Sequence, residues 1–352
     1  MTQRTRLIDM ISSVPEHKIH SVYDQIYPIL KDNLTEDDKP ITIVCCPHCG
    51  STSIKKNGTY NNNQRFLCKD CHKSFSVNTN TFLFHNRISE EKWLQFIDYE
   101  MSGMALRHEA HFLELSIHTC FRMRHKLYAA ISELSKDRVR VTDKVQLDAA
   151  YRKINLKGTR PQNMPRYSKK RGNGSAYSGI SHHKVCIVSA IDSQDNMFLN
   201  IVGLGVETFE KYKDCKYKFD NPELIVADSK PCIRLFANDL GVKIDQIKTD
   251  PKGKRYTTNL GNHLGDLNQL DSEITSLIGR THGCATKYFQ QYLDFITYRK
   301  KTMYDIDRDK VAKYVFDDIR QTKAYKEEEL VYAELPISLK DAYFEYRFGI
   351  YA

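Results

Sequence analysis

No stretch of the 352 residues stays apolar for anything near the ~18 positions that a membrane helix needs. The first residues, MTQRTRLIDMISSVPEHK, also lack the continuous apolar core of a secretory signal. A cytoplasmic protein is therefore expected, and disulfides rarely persist in that compartment. The ten cysteines need another explanation. Compositional bias is missing too: 41% hydrophobic and 28% charged residues exclude disorder, collagen and coiled coil as the main architecture. One long segment, from Tyr151 to Lys184, contains no acid at all. What is present in excess is positive charge, 53 Lys+Arg against 44 Asp+Glu for a net +9, which points to a polyanionic partner. At roughly 150 residues per domain the length allows two or three domains.

Four cysteines are patterned. Cys46-Pro-His-Cys49 and Cys68-Lys-Asp-Cys71 are separated by eighteen residues. Two such knuckles turn four thiolates toward one point, which satisfies a closed tetrahedral Zn²⁺ site. Strand-like pieces at Ser51–Lys56 and Gln64–Leu67, with turn signals at Asn57-Gly58 and Asn61–Asn63, predict a zinc ribbon over 41–80. So short a piece cannot build a sufficient core, so the metal must contribute the folding energy. Lys55, Lys56, Arg65, Lys69 and Lys73 fit a nucleic-acid module, although ribbons also bind proteins. Cys45, Cys120, Cys186, Cys215, Cys232 and Cys284 are scattered, and they read as small buried hydrophobes.

Residues 1–40 show helical spacing of apolar positions and end in a polar linker. Over 85–140 the pattern is again helical. Ser89 can cap a helix carrying Trp93, Phe96, Ile97 and Met101 and stopped near Gly103; a short helix with Ala105, Leu106 and Phe112 follows. A third helix, Ile117–Ile131, is expected to present Arg122, Arg124, His125 and Lys126 outward. Two helices, a tight turn and a basic second helix outline a helix-turn-helix, with Arg122, Arg124 and Lys126 as DNA contacts. A helical hairpin with a solvated basic face has the same outline.

From 141 to 300 the texture is α/β. Lys144–Tyr151, Lys184–Ile191, Met197–Gly203, Glu223–Asp228 and Val242–Ile247 read as strands, and residues 231–239 as a helix. This order predicts a mixed five-stranded sheet. Asp148 lies within the first strand and Asp228 at the end of the fourth. Acids at strand ends in an open α/β sheet line the ligand edge, and a charge in a β-branched run is costly unless it pairs or binds a metal. Two such acids can hold hard divalent cations such as Mg²⁺; each could instead cap a turn or make a salt bridge. The acid-free segment between the first two strands carries nine cations, among them Lys169, Lys170 and Arg171, with Tyr167 and Tyr177 interleaved. It reads as a flexible basic loop beside Asp148, and a phosphodiester enzyme needs cations for the backbone and acids for the metals.

As an ordered set, the ribbon text CPHCGSTSIKKNG…QRFLCKDCHKSFS, the helix-turn-helix, the two strand-borne acids and the stretch Gly283-Cys284-Ala285-Thr286-Lys287-Tyr288 resemble insertion-sequence transposases of the DDE class. The branch it is similar to has an N-terminal zinc ribbon and an ISXO-like catalytic domain, and the resemblance covers roughly residues 44–300. It implies a ribonuclease-H-like fold with Asp148, Asp228 and a third residue on a late helix beginning near Leu267. The similar branch has Asn there with Lys seven residues on; here Asn268 fits, but the Lys is replaced by Thr275. Asp271 and Glu273 are alternatives for the third position, and His263 upstream reads as a turn residue rather than as an auxiliary ligand, the other role open to it. The resemblance further implies two Mg²⁺ ions about 3.5–4 Å apart, cleavage at terminal inverted repeats and strand transfer into target DNA. It implies Lys287 as a phosphate contact and a homo-oligomeric assembly. Residues 301–352 read as a capping or assembly segment. The competing readings are a catalytically decayed transposase or DNA-binding regulator, and an interaction module on an unrelated α/β enzyme.

Overall fold

The computed structural model describes residues 45–60, 63–84, 86–158, 179–248, 257–258, 260–320 and 322–339. The expected N-terminal helical segment at 1–40, the basic residues Lys169, Lys170 and Arg171, and the chain end beyond 339 lie outside the described residues. The chain divides into two compact units, residues 1–79 and 80–352.

The described part of the first unit is a three-stranded antiparallel ribbon of β1 (Ile54–Tyr60), β2 (Asn63–Cys68) and β3 (Ser74–Ser76) in the order β1-β2-β3. Its apolar core consists of Cys46, Cys68 and Phe75, with Ile54, Phe66 and Cys71 half-buried against it. The Asn57-Gly58 signal does not end the strand. Register shifts between Lys56 and Thr59, so the glycine, at φ +69°, is spent on a bulge inside β1. The strand reverses after Tyr60, which pairs with Asn63.

The second unit opens with three helices, α1 (Glu90–Ser102), α2 (Leu106–Phe112) and α3 (Ile117–Arg138). Ser89 caps α1 by accepting from the Lys92 N–H, and Gly103 ends it at φ 76°, a left-handed conformation suited to glycine. Ser116 caps α3 through the Thr119 N–H. The sheet follows as β4 (Lys144–Lys153), β5 (Lys184–Asp192), β6 (Met197–Leu204), β7 (Leu224–Asp228) and β8 (Lys243–Ile247), in the order β6-β5-β4-β7-β8. β5 runs antiparallel to β4 and to β6, whereas β7 is parallel to β4 and to β8. Three strands joined as a meander, followed by two parallel crossover strands on the far side of the first, make the ribonuclease-H-like sheet that the resemblance implies. Short helices α4 (Phe209–Lys213) and α5 (Pro231–Leu240) connect the strands, and α6 (Gly265–Arg280), α7 (Thr286–Asp305), α8 (Val311–Arg320) and α9 (Glu327–Val331) follow among the described residues.

Strand alternation gives the sheet two apolar faces. Val145, Leu147 and Ala149 of β4 and Ile225 and Ala227 of β7 join Tyr212, Ile233 and Phe236 on one side. On the other side Val185, Ile187, Leu199 and Val226 share a core with Trp93, Phe96, Leu127, Tyr128, Leu270, Ile274, Phe295 and Phe316. The helical region 85–140 therefore shares one core with the sheet and with the late helices. Phe82 donates its N–H to the Thr322 carbonyl at 2.7 Å, tying the start of this unit to the segment after α8.

Candidate functional site

The four thiols of the ribbon meet. Cys46 Sγ lies 3.7 Å from Cys71 Sγ and Cys49 Sγ 3.6 Å from Cys68 Sγ, and all four ligand atoms lie within 4.8 Å of one another. Zn–S bonds of about 2.3 Å set tetrahedral sulfur–sulfur edges of about 3.8 Å, so the donor set fits zinc in size and in chemistry. The Cys71 N–H, donating to Cys68 Sγ at 3.5 Å, is the chief cause that brings the Cys68 thiol down to about 6. The neighbouring Cys49 and Cys71 thiols are raised instead, and a bound cation is what ionises all four together. Among the described residues no other group of three or more His, Cys, Asp or Glu converges this closely.

The two strand acids sit side by side. β4 and β7 pair in parallel register up to Leu147 with Ala227, and one step further lie Asp148 and Asp228. Neighbouring strands are about 4.8 Å apart, and laterally aligned residues of parallel strands point to the same face. That face is the one covered by α6, because Gln146, two residues before Asp148, donates to Asp266 Oδ2 at 2.5 Å and accepts from the Leu267 N–H at 3.4 Å. Burial raises the Asp228 carboxyl above its ordinary range; Asp148 adds to this, Lys230 opposes it and Glu207 adds again. Gathered carboxylates call for a cation, and the Lys230 ammonium supplies one, 2.9 Å from Asp148 Oδ1 and 2.7 Å from Glu207 Oε1. A carboxylate pair already holding a positive charge fits the one or two carboxylates by which Mg²⁺ is bound beside phosphate oxygens.

Three residues of α6 stand as candidates for the third position. Asn268 is exposed in the first turns of α6. Asp271, one turn on, is held by Arg152, whose Nη2 reaches Asp271 Oδ1 at 2.7 Å and Thr275 Oγ1 at 3.0 Å. Glu273 pairs with Lys300 at 3.2 Å. His263 is a turn residue, its Nδ1 accepting from the Gly265 N–H at 3.1 Å. Lys287 donates to the carbonyls of Gly158 and Val331 at 2.8 and 2.6 Å and lies over the Tyr288 ring.

The outward basic face expected of α3 is corrected at two DNA-contact positions. Arg124 is buried, pairing with Glu100 and, at 3.2 Å, with Glu109. Lys126 is half-buried, with its ammonium 4.5 Å from the centre of the Phe82 ring. His125 is buried as well, among the rings of Phe121, Tyr288 and Tyr292. The cause is that α3 packs against α2, α7 and α8 at once, which leaves it no solvated stripe along its middle. Its first turns are open, with Ile117, His118, Phe121 and Arg122 exposed. Of the scattered cysteines, Cys120, Cys186 and Cys215 are buried and Cys232 and Cys284 half-buried, but Cys45 is exposed.

Glu207 and Lys230 are the site residues that sequence reasoning missed. Glu207 lies in the connection between β6 and α4, where no periodicity marks it. The one available signal for Lys230 is its place between Asp228 and Pro231, at the start of α5.

The sequence matches no protein-family model. It is 31% identical over 136 residues to an uncharacterized protein in transposable element ISH50 of Halobacterium salinarum (strain ATCC 700922 / JCM 11081 / NRC-1). That match takes in 38% of this chain and 45% of the relative, so the chain spans less than half the length of the curated relative it matches. Among solved structures, a pre-cleavage Mos1 transpososome aligns with 69% of this chain and 82% of its own at 9% identity and a TM-score of 0.23. The Mos1 strand transfer complex aligns over the same shares at 11% identity and a TM-score of 0.23. Among the described residues no helix is long and apolar enough to cross a membrane.

Proposed function

We propose that this chain is an insertion-sequence transposase that binds DNA ends and cuts and joins them with the help of divalent metal ions. The observation that carries the reading is the parallel register that sets Asp148 beside Asp228 on the face covered by α6. Asp148 and Asp228 would hold Mg²⁺, with Asn268 or Asp271 as the third donor. Bound there, the metal supplies an activated water and stabilises charge on the phosphodiester oxygens. Asp148 and Asp228 fix the place of reaction on the rigid sheet, and Arg152 anchors α6 to β4 so that residues 268 and 271 stay in range. The ribbon and the open first turns of α3, with Arg122, read the terminal repeats through groove and phosphate contacts. Lys169, Lys170, Arg171 and Lys287 add phosphate contacts, and joining two ends calls for more than one copy of the chain.

A second reading, a DNA-binding protein without catalysis, is favoured by one observation. Both acids near the third position are already committed, Asp271 to Arg152 and Glu273 to Lys300. The deciding experiment takes the DNA flanking the reading frame, identifies short inverted repeats, and incubates duplexes of those ends with the protein and Mg²⁺. Cleavage that falls by about 10³-fold in Asp148→Asn and Asp228→Asn supports the transposase reading. Tight binding of the ends with no cleavage in the unaltered protein supports the second.

A further inference from the structure

We propose that Lys230 is the resting counterion of the acidic pair, and that Glu207 retains its ammonium when a divalent cation takes Asp148. This rests on Asp148 and Asp228 being a cation-binding pair, and it adds two positioning residues to that site.

The two partners of Lys230 are unequal. The Asp148 side chain is 31% exposed, whereas that of Glu207 is only 4% exposed. Solvent or an entering ion can take over Asp148. A buried carboxylate cannot be left without its cation. The backbone of each residue is pinned. The Lys230 N–H donates to the Asp228 carbonyl at 2.7 Å, and the Lys230 carbonyl accepts from Gln246 Nε2 at 3.3 Å. The Glu207 N–H donates to the Tyr151 hydroxyl at 3.4 Å. What can move is the flexible four-carbon stem of Lys230, which carries three donors and can keep Glu207 while releasing Asp148. Ammonium and divalent cation then compete for one carboxylate, and Glu207 decides the contest by drawing the ammonium away.

The probe is Mn²⁺ alone, titrated calorimetrically into the full chain after the ribbon has been saturated with zinc, with thermal melts to verify folding. Lys230→Met combined with Glu207→Gln removes competitor and anchor together and leaves no buried charge unpaired. It should bind Mn²⁺ about tenfold more tightly. Glu207→Gln alone frees the ammonium to settle wholly on Asp148 and should weaken binding by about threefold. Lys230→Arg keeps the charge and should stay within about threefold of the unaltered protein. A purely structural role for Lys230 and Glu207 would not move the affinity in opposite directions in folded variants. Unchanged affinity in both the double variant and Glu207→Gln, with binding lost in Asp148→Asn, overturns the inference and leaves the cation-binding reading standing. If neither the unaltered protein nor the double variant binds Mn²⁺, both fail.

Discussion

The ribbon and the unit of residues 80–352 solve the same folding problem with opposite means. Among its described residues the ribbon buries three apolar side chains, two of which belong to the four-thiol cluster that fits zinc, so its core and its candidate metal site are one thing. The larger unit closes a sheet between two apolar cores and places its candidate metal ligands at the rim, where the sheet is already held. A metal that builds a module cannot be exchanged without unfolding it. A metal held by a finished scaffold can come and go with its substrate.

The largest expected effect follows from that contrast. Removing zinc with a chelator, or replacing Cys68 by Ala, should unfold the ribbon, since structural zinc contributes on the order of 10 kcal/mol to such modules. Amide hydrogen exchange should then show protection lost over 46–76 and kept in β4–β7; coupled loss in both units breaks the comparison. Within the larger unit the sensitive point is electrostatic. Arg124→Ala leaves Glu100 and Glu109 buried without their cation and should cost about 3–5 kcal/mol in chemical denaturation, while an exposed Arg122→Ala should leave stability nearly unchanged.

A smaller effect is written in pH. Burial, Arg124 and Lys287 push His125 down to about 4 from its ordinary 6.5. Because its folded value is depressed, the fold keeps the neutral ring. This contribution is full above pH 6.5 and is lost as pH falls toward 4, about 3 kcal/mol in all. His125→Phe should flatten the stability profile of the larger unit between those values. Smallest of all, Ser116→Ala should cost about 1 kcal/mol through the lost cap of α3, visible as a modest drop in melting temperature.

Local pattern made most elements legible. The cap at Ser89, the stop at Gly103, the strand at Lys144–Tyr151 and the helix over 231–239 are short-range signals, and each falls where expected within a few residues. The cysteine spacing carried the ribbon for the same reason. What stayed hidden depends on partners far along the chain. Arg124 reads as a surface cation until Glu100 and Glu109, on two other helices, are seen to face it. A helical wheel assumes one buried side, and α3 has neighbours on several. Glu207 and Lys230 lie in connections, where neither helical nor strand period applies, and come together only because β7 crosses over to pair with β4. Asn57-Gly58 is a sound turn signal spent on a bulge, and the reversal falls between Tyr60 and Asn63 instead.

The alternation of β4 ties two properties to one count of residues. Gln146 and Arg152 reach α6, and Asp148 shares their face, only because Val145, Leu147 and Ala149 fill the opposite core. Insertion or deletion of a single residue between Lys144 and Asp148 would exchange the two sets across the sheet, driving the carboxylate into the core around Tyr212 and Phe236 and presenting leucine and alanine at the rim. Substitutions in this strand can be graded, but changes of length cannot. Across descendants of this sequence, frame-preserving insertions and deletions should therefore be missing from Lys144–Asp148 wherever the chain still folds.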